Sequence, residues 1–127
     1  MSFNLIPTKW ISHCIIIDSR VVDTPVRRYK SNIRNYTEVG RKLLITGSGE
    51  AGAIEELGEK IKDLLGDTYS FTISPDILHS AESRQALAAC DGVILIETVD
   101  HSKYAEVGEE TRLIRGMNKD VIGSVLI

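Results

Sequence analysis

Runs of consecutive apolar residues recur along the chain and alternate with segments of helical periodicity. Four of the five β-rich runs contain consecutive rather than alternating apolar residues, which is typical of strands covered on both faces. The runs are His13–Asp18, Lys42–Gly47, Tyr69–Ser74, Gly92–Glu97 and Val121–Ile127. This pattern predicts a mainly parallel sheet of about five strands.

Amphipathic segments lie between these runs. Glu50–Leu65 places apolar residues on one helical face and charged residues on the other. Ser80–Cys90 begins with an N-capping serine, and Ser102–Asn118 carries an apolar stripe. A further, polar helix is predicted over Pro25–Thr37. Because strands and helices alternate, the sequence predicts a single α/β domain over residues 1–127. We expect a Rossmann-like, P-loop-NTPase-like three-layer α/β/α sandwich with right-handed crossovers.

Composition and charge narrow the class of protein. The 127 residues are 43% hydrophobic and 26% charged, as in folded domains and unlike disordered chains. The net charge of −3 offers no basic surplus for binding a nucleic-acid backbone. No apolar run is long enough to span a bilayer, and no secretory signal is recognisable. Cys14 and Cys90 are too few for a disulfide framework, so we expect buried thiols and a cytoplasmic location.

A glycine-rich loop follows the second predicted strand and leads into a helix. Its residues are Gly47, Ser48, Gly49, Glu50, Ala51, Gly52, Ala53 and Ile54. The two outer glycines match the phosphate-loop pattern G-x-x-x-x-G-K-[ST], but Ala53 replaces the phosphate-binding lysine and Ile54 replaces the Mg²⁺-binding hydroxyl. The loop is therefore interpreted as a vestigial phosphate loop, with a simple tight turn as the alternative. Its amide groups could still bind a weak anion at the helix N-terminus.

The same loop also matches a dinucleotide-binding pattern. Gly47, Gly49 and Gly52 fit G-x-G-x-x-G between a strand and a helix. That pattern requires an acidic residue at the end of the next strand, and Asp76 lies just past it. A nucleotide- or dinucleotide-binding α/β domain is therefore the alternative hypothesis. A phosphocarrier is disfavoured, because no cysteine follows the strand to act as a nucleophile.

The other chemistry-bearing residues give weaker indications. The neighbours His13 and Cys14 belong to a predicted strand, in which they point to opposite faces and cannot act together. Asp100 and His101 follow the fourth predicted strand, where a solvated loop is the simpler interpretation and a phosphate- or carboxylate-binding site is the alternative. Three side chains could converge on a metal, although no spacing requires it: Asp76, His79 and His101. We assign no catalytic residue, no metal and no cofactor.

Seven segments occur in an order shared with one family of enzymes. They are Lys30–Ile33, Lys42–Thr46, Tyr69–Leu78, Ser80–Ser83, Leu87–Ala88, Asp91–Ile96 and Val121–Leu126. Together they resemble the bacterial tyrosine kinases of capsule and exopolysaccharide synthesis, and more widely the MinD/ParA-like P-loop ATPases. The resemblance covers residues 24–127 and is best from Tyr69 onward.

The chain differs from this family at the positions that bind metal and phosphate. Besides the loop changes, Ile73 stands at the position of the Walker B aspartate. The strand that carries the second family aspartate has no room between the first long helix and the next strand. The family's ring-forming E-x-x-R-x-x-R motif falls on Thr24, Arg27 and Lys30, of which only Arg27 matches. No ATPase or kinase activity is therefore expected.

What the resemblance implies is a fold and a pathway. We expect a non-catalytic, degenerate ATPase-like or kinase-like domain with a regulatory or scaffolding role in bacterial capsule, exopolysaccharide or lipopolysaccharide biosynthesis. The expected partner is a protein of the assembly machinery, such as a membrane adaptor, or a second copy of the chain. The candidate contact is a basic segment, with a solvated helix face as its alternative: Arg27, Arg28, Lys30 and Arg34.

Two further expectations concern the context of the chain. It would lie at the inner face of the membrane, through a partner or through a missing segment. Family members continue beyond the apolar strand in which this chain stops, so a fragment of a longer protein is one expectation.

Overall fold

The computed structural model describes residues 6–7, 14–17, 20–24, 26, 28–31, 41–98 and 102–127. The strands in these ranges are β1 (Ile6–Pro7), β2 (Cys14–Ile17), β3 (Arg20–Asp23), β4 (Arg28–Ser31), β5 (Lys42–Thr46), β6 (Ser70–Ile73), β7 (Gly92–Glu97) and β8 (Asp120–Leu126). The helices are α1 (Ala51–Leu65), α2 (Ala81–Ala89) and α3 (Tyr104–Gly116).

The main sheet has six strands in the order β1-β4-β8-β7-β5-β6. β6, β5, β7 and β8 run parallel, whereas β4 and β1 join antiparallel beyond β8. The chain passes from β5 to β6 through α1, and from β6 back across β5 to β7 through α2. The strand order therefore reverses between β5 and β7, which is where open α/β sheets usually bind ligands. Four parallel strands alternating with three helices confirm the predicted α/β class and a Rossmann-like arrangement.

Apolar side chains cover both faces of the parallel strands. Leu43 and Ile45 of β5 pack in the same cluster as the apolar face of α1, whereas Leu44 packs with Leu87 of α2 and Ile114 of α3. The sheet is thus the middle of three layers, and its strands have no polar face to alternate with an apolar one. This explains the consecutive apolar residues of the sequence.

A reciprocal pair of hydrogen bonds joins the beginnings of the neighbouring strands β5 and β7. The backbone N–H of Lys42 donates to Asp91 Oδ2 at 2.8 Å, and the N–H of Asp91 donates to the Lys42 carbonyl oxygen at 2.6 Å. The first paired residues, Leu43 and Gly92, follow directly. These bonds fix where β7 begins relative to β5.

Two predictions for the N-terminal part are wrong. The helix predicted over Pro25–Thr37 is replaced, over Arg28–Ser31, by strand β4, which pairs with β8. The run predicted at His13–Asp18 does form a strand, β2, but it pairs with β3 in a separate two-stranded sheet rather than joining the parallel sheet. In both places the partner strand determines the structure of the segment, because strand pairing satisfies the backbone hydrogen-bonding groups whatever the local preference of the residues.

The helices begin close to where the sequence places them. Ser80 caps α2 as predicted, because its side chain accepts a hydrogen bond from the N–H of Ser83 at 3.2 Å. α1 begins one residue later than predicted, and Glu50 is its cap. Among the described residues, no helix combines the length and the apolar character needed to cross a membrane.

Candidate functional site

The glycine-rich loop lies at the switch point and packs directly against the end of β7. A Cβ atom added to Gly47 would lie 2.1 Å from the carbonyl oxygen of Ile96. One added to Gly49 would lie 3.0 Å both from that oxygen and from the nitrogen of Thr98. The two glycines are therefore needed for close approach of two backbones. This packing role accounts for them without any ligand.

Glu50 caps α1 with its own carboxylate. Its Oε1 accepts a hydrogen bond from the N–H of Gly52 at 2.9 Å, and its Oε2 accepts one from the N–H of Ala53 at 2.8 Å. Amide groups of the first helical turn are the ones that bind phosphate in nucleotide-binding loops. In this chain a side-chain carboxylate already occupies that position.

Glu97, the last residue of β7, joins three segments at the same edge. Its Oε2 accepts hydrogen bonds from the hydroxyl of Ser48 at 2.7 Å, from the N–H of Ser48 at 3.1 Å and from the hydroxyl of Ser102 at 2.5 Å. Only 6% of Glu97 is exposed. The carboxylate therefore holds both the loop after β5 and the segment before α3 against the end of β7.

Glu110 of α3 is a second buried carboxyl group in this region, with 0% exposure. Among the described residues, no donor supplies a hydrogen bond to either of its oxygens, and the hydroxyl of Thr46 at the end of β5 has no hydrogen-bond partner. Burial, followed by hydrogen bonding to Glu97 and repulsion from its charge, raises the pKa of Glu110 to about 9. This direction of shift favours the protonated form of Glu110 at neutral pH. In that form it can donate a hydrogen bond to Glu97, which two carboxylates cannot do.

A cleft of about 420 Å³ opens beside the loop. Its polar lining comes from the loop after β5, the segment after β6 and α3: Ser48, Glu50, Asp76, His79 and Glu106. Three of these are carboxylic acids, and His79 is the one basic side chain that the described residues contribute to the lining. The Nδ1 atom of His79 lies 2.8 Å from Asp76 Oδ1, so the histidine is already engaged by an acid. The cleft is therefore unfavourable for a phosphate group.

The predicted loop and the predicted basic segment lie in different parts of the fold. The loop follows β5, and its last four residues form the first turn of α1. Asp76, the candidate ribose ligand, lies at the same cleft as the loop. Arg28 and Lys30 belong to β4, which β8 and β7 separate from β5.

Several other candidate residues fall outside the described ranges. They are His13, Arg27, Arg34, Asp100 and His101. Of the two cysteines, Cys90 is a buried free thiol, as predicted. Cys14 belongs to β2.

Glu97 and Glu110 were not predicted as functional residues, although the sequence position of each is unusual for a carboxylic acid. Glu97 ends a run that is otherwise apolar, at the edge where ligand-binding residues usually lie. Glu110 stands three residues after Val107 and four before Ile114, on the side of the helix expected to be apolar. A charged residue at such a position requires a buried partner, which the sequence alone does not identify.

Comparison with known proteins gives no match: no family model, no curated protein and no solved structure matches the chain.

Proposed function

We propose that this chain is a non-catalytic α/β domain that acts through a protein partner and not through a bound nucleotide. The observation that carries the proposal is the Glu50 carboxylate on the N–H groups of Gly52 and Ala53. A phosphate would have to displace this carboxylate before it could use those amides.

The charge around the loop supports the same conclusion. Glu50, Asp76 and Glu106 line the cleft, so an incoming phosphate would meet negative charge. A nucleotide-binding loop normally offsets the phosphate charge with a lysine and with Mg²⁺ held by a hydroxyl. Ala53 and Ile54 supply neither. Turnover of ATP would lack the groups that stabilise its transition state.

The biological context of the proposal comes from the sequence resemblance. It is a regulatory or scaffolding role in bacterial capsule, exopolysaccharide or lipopolysaccharide assembly, with a protein of that machinery or a second copy as the partner. The basic segment Arg27–Arg34 is the proposed contact. Two of its charged residues, Arg28 and Lys30, lie in β4 near the antiparallel edge of the sheet.

Thermal unfolding with ATP, ADP, NAD and NADP, with and without Mg²⁺, tests the proposal. We expect no shift of the wild-type midpoint at millimolar nucleotide. A ligand present at a hundred times its Kd would stabilise the domain by about 2.7 kcal/mol, a shift of several degrees. A shift with ATP or ADP would overturn the proposal. A shift with NAD or NADP alone would favour the dinucleotide-binding alternative.

The Glu50→Ala variant tests directly whether the Glu50 carboxylate blocks the amides of Gly52 and Ala53. Loss of the cap is expected to cost about 1 kcal/mol. Inorganic phosphate should then stabilise the variant more than the wild type, since it can occupy the vacated amides. Glu59→Ala is the matched control, because it removes the same charge from an exposed position of α1. An identical phosphate response in all three proteins would show that Glu50 does not block an anion site.

Sedimentation at increasing protein concentration tests whether the partner is a second copy of the chain. If β4 mediates self-association, charge reversal at Arg28 and Lys30 should abolish it. Reversal at the exposed Lys62 of α1 is the control. Association that survives the β4 reversal would exclude this contact.

A further inference from the structure

Glu97 and Glu110 bring two carboxyl groups together between β7 and α3, in a position that solvent barely reaches. The exposed fractions of the two residues are 6% and 0%. The oxygen Oε2 of Glu97 is supplied with donors by Ser48 and Ser102. Both oxygens of Glu110 lack a donor among the described residues. The two acids therefore have very different surroundings.

In the part of the chain that the structure describes, the groups named as acting on Glu110 include no positive charge. From β7 it faces Glu97, from its own helix it faces Glu106, and from the loop after β5 it faces the side chain of Ser48. An ionised Glu110 would be a buried charge beside a second negative charge, which is among the costliest arrangements in a protein. A proton on Glu110 removes that charge and supplies the missing donor at the same time.

We propose that Glu110 carries a proton that it donates in a hydrogen bond to Glu97, and that this bond latches α3 and the Gly47–Glu50 loop onto the end of β7. Glu97 already holds the loop through Ser48, and the protonated Glu110 adds α3 to the same carboxylate. The inference concerns how the switch point is held together and does not depend on the partner proposed above.

Loss of the proton from Glu110 would release the latch. Two adjacent negative charges would push the first half of α3 away from β7, and the cleft lined by Ser48 and Glu106 would widen. Unfolded Glu110 has its ordinary pKa of 4.5, whereas folding raises that pKa to about 9. The folded state therefore holds a proton that the unfolded state releases. The resulting stabilisation is complete below pH 4.5, falls steadily as the pH rises from 4.5 to about 9 and is lost above that pH.

Chemical unfolding between pH 5 and pH 10 tests the latch in the wild type and in Glu110→Gln. The glutamine amide is nearly isosteric with the protonated acid, donates a hydrogen bond and cannot ionise. We expect the ratio of the wild-type unfolding constant to that of the variant to rise by about tenfold per pH unit and to level off at alkaline pH. Glu109→Gln is the control, because Glu109 is the exposed neighbour in the same helix. The control should follow the wild type.

Parallel pH profiles for the wild type and Glu110→Gln would overturn the proposal. So would a large stabilisation of the wild type by Mg²⁺ or Ca²⁺ at pH 7 that is absent from the variant, since a cation would then hold the pair. If Glu110→Gln does not fold, an NMR titration of the wild-type Glu110 carboxyl carbon decides. A midpoint near the ordinary pKa of glutamate would overturn the latch, and one several units higher would support it.

Discussion

The Cβ position of Gly47 lies 2.1 Å from the carbonyl oxygen of Ile96, a separation that no side chain can tolerate. The turn after β5 is therefore joined backbone to backbone to the end of β7. The same glycine that suggests a phosphate loop in the sequence is required, in the fold, by a neighbouring strand.

Gly47→Ala is expected to destabilise the domain by about 2 kcal/mol or more, because the methyl group must push the loop and β7 apart. Gly116→Ala is the matched control, since no atom of a described residue outside the immediate helix backbone lies within 4 Å of a Cβ added there. That change at the end of α3 should be neutral or slightly stabilising. Urea unfolding measures the free energy of unfolding of the two variants. Equal values would mean that the loop can move away from β7 at no cost, contrary to the expectation.

Thr46→Val is expected to stabilise the domain by about 1 kcal/mol. The Thr46 hydroxyl is fully buried and has no hydrogen-bond partner among the described residues. Valine has nearly the same shape and removes the cost of burying that hydroxyl. Urea unfolding measures the difference. A loss of stability would reveal a partner for the hydroxyl and would count against the expectation.

Ser83→Ala is expected to cost about 1–2 kcal/mol, because it removes the polar link between α2 and the end of β6. The Ser83 hydroxyl lies 2.7 Å from both the Ser74 hydroxyl and the Pro75 carbonyl oxygen, and Ser83 has 0% exposure. Ser70→Ala, at an exposed position of β6, serves as the control and should change the free energy of unfolding by less than about 0.5 kcal/mol. Similar values for the two variants would argue that the link is dispensable.

The thiol of Cys90 should resist alkylation in the native protein at pH 8. Burial raises its pKa, and the reactive thiolate is therefore scarce. The side chain also contacts the Leu87 carbonyl oxygen, with Sγ at 3.1 Å, and is 4% exposed. Mass spectrometry of the Cys90 peptide after iodoacetamide treatment measures the labelling rate separately from Cys14. Labelling in buffer as fast as in urea would contradict the burial.

The parallel half of the fold could be predicted from the sequence because its signals are local. Gly92–Glu97 and Glu50–Leu65 show the period and length of a buried strand and an amphipathic helix. The strand Arg28–Ser31 could not be predicted in this way. Its residues are polar and charged, and its conformation depends on pairing with β8, which is remote in sequence.

The position of the glycine-rich loop could be predicted from the sequence, but its packing could not. A glycine-rich loop between a buried strand and a helix is expected at the carboxyl edge of a parallel sheet, and this loop follows β5 there. Whether its glycines serve a ligand or a neighbouring strand depends on the placement of Ile96, which the loop sequence does not contain. The pairing of Glu97 with Glu110 likewise depends on how α3 packs on the sheet, which the sequence of neither element contains.

The reciprocal hydrogen bonds between Lys42 and Asp91 have a consequence for folding. A shift of one residue in the register between β5 and β7 would exchange the two faces of β7. Glu97 would then point toward the apolar side chains of α1, and Ile96 toward α3. Such a misaligned intermediate would lose both bonds at the start of the strands and would bury a carboxylate without its serine donors. The contacts at the two ends of β7 therefore disfavour an incorrect register independently of each other.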